Sequence, residues 1–186
     1  MADSAELDAL RRQATLASVA GFPFLLVFGL TWIGAAALTY VAPGDLAPWL
    51  YPVLGLPAAV VAIALERRWG YVPAPRPDPL LPLVLQLNFV QIVAFPALLL
   101  VWDQEPAFMP AAFAAIVGAH FLPFQWLYGT RIYGALGVAV AVGPLLLVFG
   151  YRDDALHYTG FLVGATLLIG AFAARSHAAR VLRQSG

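Results

Sequence analysis

The sequence predicts an all-α membrane protein, a polytopic bundle of six transmembrane helices with both termini in the cytoplasm. Three observations lead there: charge is expelled from six intervals, apolar residues far exceed the share of a soluble domain, and arginine is confined to one set of connections. All twenty charged residues fall outside intervals bounded by Arg12/Asp45, Asp45/Glu66, Asp78/Asp103, Glu105/Arg131, Arg131/Arg152 and Asp154/Arg175. The charge-free runs are 32, 20, 24, 25, 20 and 20 residues long. A hydrocarbon core about 30 Å thick needs about 20 helical residues to cross it, so each run holds one span. Hydrophobic residues make up 62% of the chain and charged residues 11%. Soluble domains carry roughly 45–50% and roughly 25%, and a water-soluble fold of this composition has too little polar surface to cover itself.

Taken in order, residues 3–12 read as a short cytoplasmic helix at the membrane surface. Asp3 stands as N-cap, Glu6 at the capping-box position, and Asp8 within helical reach of Arg11 and Arg12. The spans follow at 15–41, 47–65, 80–101, 107–128, 132–150 and 156–174, within a single transmembrane domain over 1–186. Pro23, Pro57, Pro96, Pro123 and Pro144 fall inside five of them, and an internal proline frees a carbonyl one turn earlier. Arg67, Arg68 and the run PAPRPDPLLP make the second connection an extended link that divides the chain two spans plus four. The other connections are tight, so consecutive helices are antiparallel neighbours. Tyr40, Trp49, Trp69, Trp102, Trp126, Tyr151 and others mark the span ends as an aromatic belt.

An even number of spans puts both termini on one side. That side, with its tails and the connections around Arg67 and Arg131, carries nine of the ten arginines. Arginine resists translocation, which sets the cytoplasmic side. Small residues recur at four-residue spacing at Gly160 and Gly164, at Ala135, Ala139 and Gly143, and at Ala111, Ala115 and Ala119. Such faces let helices approach closely, either within one bundle or in a homo-oligomer.

The polar chemistry inside the spans is sparse. Span three carries Gln86, Asn88 and Gln91, and span four carries His120 and Gln125. Rise per residue sets Asn88 roughly 13 Å and His120 roughly 12 Å from the cytoplasmic ends of two helices running in opposite directions, so they meet in depth. These five residues are the candidate ligand-binding set, with His120 as proton acceptor and the amides reading a neutral polar solute. Their alternative role is to pair with one another and fix helix register. Asp153, Asp154 and His157 gather at the far end of span six, but two carboxylates and one histidine are an incomplete cation site. His177, Arg175, Arg180 and Arg183 form a basic tail suited to anionic headgroups.

Cysteine and lysine are absent, which removes disulfides, thiol catalysis and Schiff-base cofactors. No phosphate loop, nucleophile elbow, metalloprotease helix or haem-type histidine pair is present. No cofactor, no metal, no catalytic residue and no nucleic-acid partner is expected; the lipid bilayer is the expected surrounding.

The segments GAHFLPFQWLYGTRIYGALGVAVAVG and RRQATLASVAGFPFLLVFGLTW resemble an uncharacterised family of small bacterial six-helix integral membrane proteins. That resemblance implies architecture and a bacterial inner-membrane origin and brings no functional residue with it. Three functional classes stay open: a small permease or solute-binding bundle with a polar site between spans three and four, a non-catalytic protein that oligomerises, and an intramembrane enzyme acting on a lipid or quinone-like substrate through His120.

Overall fold

The computed structural model describes residues 4–74, 77–152 and 154–184; Asp3, Arg76 and Asp153 lie outside them. Among the described residues seven α-helices form, joined by short turns: α1 Ser4–Ala17, α2 Phe22–Leu38, α3 Leu50–Trp69, α4 Leu81–Gln104, α5 Met109–Tyr128, α6 Ile132–Gly150 and α7 Ala155–Arg183. Six helical segments are long and apolar enough to cross a membrane, the first running Val19–Leu38 through a 3₁₀ turn into α2. The N- and C-terminal segments meet at one end of the bundle, the terminal face, where α1 lies against α5 and α7. With 29 residues, α7 is about 44 Å long and projects beyond a hydrocarbon core of about 30 Å. In its last turns Ala174 and Ala178 are buried, while Arg175, Arg180 and Arg183 are exposed.

The surface helix extends further than the capping pattern suggests, to Ala17, and then turns a left-handed corner. Val19, Ala20 and Gly21 all have positive φ, at 52°, 50° and 75°. For Val and Ala this backbone region costs about 1–2 kcal/mol each. Buried hydroxyls hold the corner in place. Tyr133 Oη donates to Ala20 O at 2.6 Å, and Ser18 Oγ donates to Tyr128 Oη at 3.2 Å. Val19 and Ala20 are themselves fully packed. The corner also changes the reading of Pro23. Rather than interrupting a span, it occupies the first turn of α2, where a missing N–H leaves no bond unmade. Pro57, Pro96, Pro123 and Pro144 are inside their helices.

Two glycine seams hold the centre together. Along α2 and α7, a Cβ on Gly164 would lie 2.7 Å from Gly29 O. Along α5 and α6, a Cβ on Gly118 would lie 2.6 Å from both Gly137 O and Ala141 N. Backbones touch at these crossings, so dispersion contacts replace the hydrophobic drive that lipid cannot supply. Gly160 and Gly164 thus pack within the chain, Gly160 against Ala36 and Tyr51. Ala135 and Ala139 lie exposed on α6. By contrast, α4 packs mainly along α5, and of its 24 residues only Leu98 is fully buried.

At the terminal face Arg11 ties α1 to the bundle. Its guanidinium donates to Trp126 O through Nε at 2.8 Å and also through Nη2. It pairs with Asp8 at 3.2 Å and lies 5.1 Å from the Trp126 ring centroid. Trp126 O, at the end of α5, also accepts the N–H of the C-cap Gly129 at 3.3 Å, so Arg11 adds a second, charged donor to it. The Arg11→Ala variant is expected to lose about 1 kcal/mol, below the roughly 1.5–3 kcal/mol of a buried charged hydrogen bond because the group is partly in water. Limited trypsin digestion reads this as faster cleavage after Arg12, with the unfolding midpoint of the spans nearly unmoved.

Candidate functional site

Midway through the bundle lies a cavity of about 90 Å³, room for about three waters. Its back wall is aromatic, with Trp32 of α2 and Phe113 of α5 stacked at 5.5 Å. Asn88 and Gln91 of α4 and His120 of α5 supply its polar side. The two helices run antiparallel, so residues from opposite ends of their sequences come to one depth. Asn88 and Gln91 share a face because they are three apart.

Gln86 and Gln125 do not join them. Gln86 precedes Asn88 by two residues, about 200° of helical rotation, and lies exposed on another side of α4. Gln125 comes five residues after His120, about 140° away, and its Oε1 lies against Gly134 of α6. Two hydroxyl groups that sequence reasoning passed over also line the cavity, from Thr31 and Tyr51. Thr31 carries a legible signal, a polar side chain in the middle of span one. Tyr51 reads in sequence as a belt residue; its hydroxyl donates to Leu156 O at 2.7 Å, which turns its ring inward against Trp32.

Local bonds decide which polar atoms stay free. His120 Nδ1 lies 2.6 Å from Val117 O. A carbonyl can only accept, so Nδ1 carries the hydrogen and the neutral ring offers Nε2 as an acceptor. Asn88 Nδ2 donates to Val84 O at 2.8 Å, which leaves Oδ1 as a further acceptor. Thr31 Oγ1 donates back to Val27 O at 2.9 Å. Gln91 has no hydrogen-bond partner among the described residues. Three of the five residues of the predicted set, Asn88, Gln91 and His120, are thus gathered on one cavity without bonding to each other. In hydrocarbon such free groups are costly unless something pairs with them.

Two other polar clusters are structural. A crevice of about 360 Å³ opens at the terminal face between α1 and α7, but its Arg11, Asp8 and Thr15 are bonded to each other or to α5, and His177 Nε2 bonds Tyr128 O at 3.0 Å. At the opposite face His157 Nδ1 lies 2.6 Å from Thr39 Oγ1 and its ring stacks on Tyr40 at 4.1 Å. Among the described residues no three His, Asp or Glu side chains come together as a metal site.

Six apolar helices around glycine seams, with a small polar-and-aromatic cavity at their centre, define the class: a multi-pass helical membrane protein. Within that class the chain belongs to DUF7010, a family of unknown function, whose match covers residues 7–176. No curated protein matches the chain, and no solved structure does.

Proposed function

We propose that this protein is a small ligand-binding or permeation bundle of a bacterial inner membrane, with both termini cytoplasmic, and that it holds a neutral ligand in the mid-bundle cavity. The observation that carries the reading is the convergence of Asn88, Gln91 and His120 from two helices on one cavity, with acceptor atoms left free. The sequence assigns nine of the ten arginines to the connections and tails on the terminal side, which supports the orientation. The absence of carboxylate and arginine from mid-membrane positions favours a neutral ligand over an ion.

Trp32, which lines the cavity and is 3% exposed, reports the test. A variant keeping Trp32 and carrying phenylalanine at Trp49, Trp69, Trp102 and Trp126 is titrated in lipid nanodiscs with phenol, a neutral hydroxyl donor on an apolar ring. Saturable change in Trp32 emission is expected, and His120→Leu weakens it about fivefold, the equivalent of one neutral hydrogen bond of about 1 kcal/mol. A linear, non-saturating response that His120→Leu leaves unchanged would overturn the assignment.

A further inference from the structure

The cavity is bounded on two sides by helices that do not pack along one another. Gly55 and Tyr51 of α3 line it from one side and Asn88 and Gln91 of α4 from the other, yet α3 rests on α2 and α4 on α5. At the face opposite the termini, the gap is bridged by Trp49 and Trp102, whose rings lie 5.8 Å apart. At the terminal face the chain itself joins α3 to α4 through the proline-rich link. Between these two points the helices present lipid-exposed side chains, Leu56 and Val60 on α3 and Phe89 and Ile92 on α4. Gly55 contributes no side chain to this stretch, and a Cβ there would meet only Phe28, at 3.7 Å. Asn88 is both a cavity-lining and an exposed residue. An amide facing hydrocarbon at the mouth of a cavity, with an acceptor oxygen free, is poised to meet something that arrives from the bilayer.

Resting on the mid-bundle binding site proposed above, we infer that its ligand is a neutral amphiphile dissolved in the membrane, with a hydroxyl or N–H head and an apolar tail, and that it enters sideways between α3 and α4. Head and site match by chemistry. His120 Nε2 and Asn88 Oδ1 accept, while the unbonded Gln91 amide can both donate and accept, so the head must donate and can also accept, as a hydroxyl does; no cation lines the cavity to neutralise a carboxylate or phosphate. Size matches as well. A volume of about 90 Å³ takes a head group and a few carbons, and a longer tail remains in the lipid between the two helices.

The test uses the Trp32-only protein in phosphatidylcholine vesicles with 2-bromo-1-undecanol, whose bromine sits on the carbon next to the hydroxyl-bearing one and quenches indole at contact. Saturable quenching of Trp32 is expected, competed by phenol and weakened at least fivefold by Asn88→Leu. The Gly55→Leu variant, which narrows the mouth without touching the polar groups, lowers alcohol quenching while leaving phenol binding in place. The acid 2-bromoundecanoate, ionised at its head, does not saturate the site, and acrylamide added to the water leaves Trp32 unquenched. If phenol saturates but the bromoalcohol does not, and acrylamide quenches, the cavity binds from water and the lateral route is wrong. If neither phenol nor the bromoalcohol saturates, the binding site itself falls and the inference falls with it.

Discussion

Gly118→Leu is expected to lose about 3 kcal/mol of stability, at the upper end for overpacking of a tight core. A Cβ at this position would stand 2.6 Å from Gly137 O and Ala141 N, which are main-chain atoms and cannot turn aside as a side chain can. The helices α5 and α6 must separate, and His120, two residues along α5, moves with them. The same variant is therefore expected to abolish phenol binding at the cavity. Equilibrium unfolding in mixed micelles, followed by far-ultraviolet circular dichroism, gives the stability change against Gly34→Ala, where no atom lies within 4 Å. An unchanged midpoint for Gly118→Leu would mean that the two helices do not cross with their backbones in contact.

The second large effect is at the corner. Gly21→Ala places a methyl group 2.3 Å from the Tyr133 hydroxyl at a φ of +75°. The alanine costs about 1–2 kcal/mol for the left-handed backbone. The displaced Tyr133 hydroxyl can no longer donate to Ala20 O, which adds about 1–3 kcal/mol for a buried carbonyl left unpaired. A loss of about 3 kcal/mol in the same unfolding experiment is expected. Tyr133→Phe isolates the hydrogen-bond share. If Gly21→Ala matched the parent protein, α1 and α2 would have to run on as one helix, because only a right-handed path admits alanine without strain.

The six spans are readable in the sequence because a permanently charged group is excluded from lipid, and the twenty charged positions therefore mark the boundaries almost alone. The corner at 18–21 is not readable in this way. Serine, valine and alanine are compatible with a continuing helix, and what bends the chain is held from more than a hundred residues away, by Tyr128 and Tyr133. Depth was accessible because rise per residue is constant, and it sets Asn88 level with His120 from opposite directions. Rotation about the helix axis was accessible only within one helix. It separates Gln86 from Asn88, but which face of α4 turns to α5 is decided by packing around Leu98, and nothing in the run LQLNFVQ announces it. Thr31 and Tyr51 escaped for a related reason, since a threonine that bonds its own preceding turn and a tyrosine near a span end both have ordinary local explanations.

One of the two glycine seams joins the first span to the last. Gly29 and Gly164 touch across α2 and α7, although 134 residues lie between them in the chain. By contrast, α5 and α6 are consecutive and meet at Gly118 and Gly137 as soon as both exist. Assembly therefore has a built-in order: the α5–α6 hairpin closes from local contacts, while α2 must wait in the bilayer for α7 before its glycine face is covered. Contacts of long sequence separation close last and slowest, so during synthesis the half-made protein exposes the very helix face that its finished form uses to hold itself together.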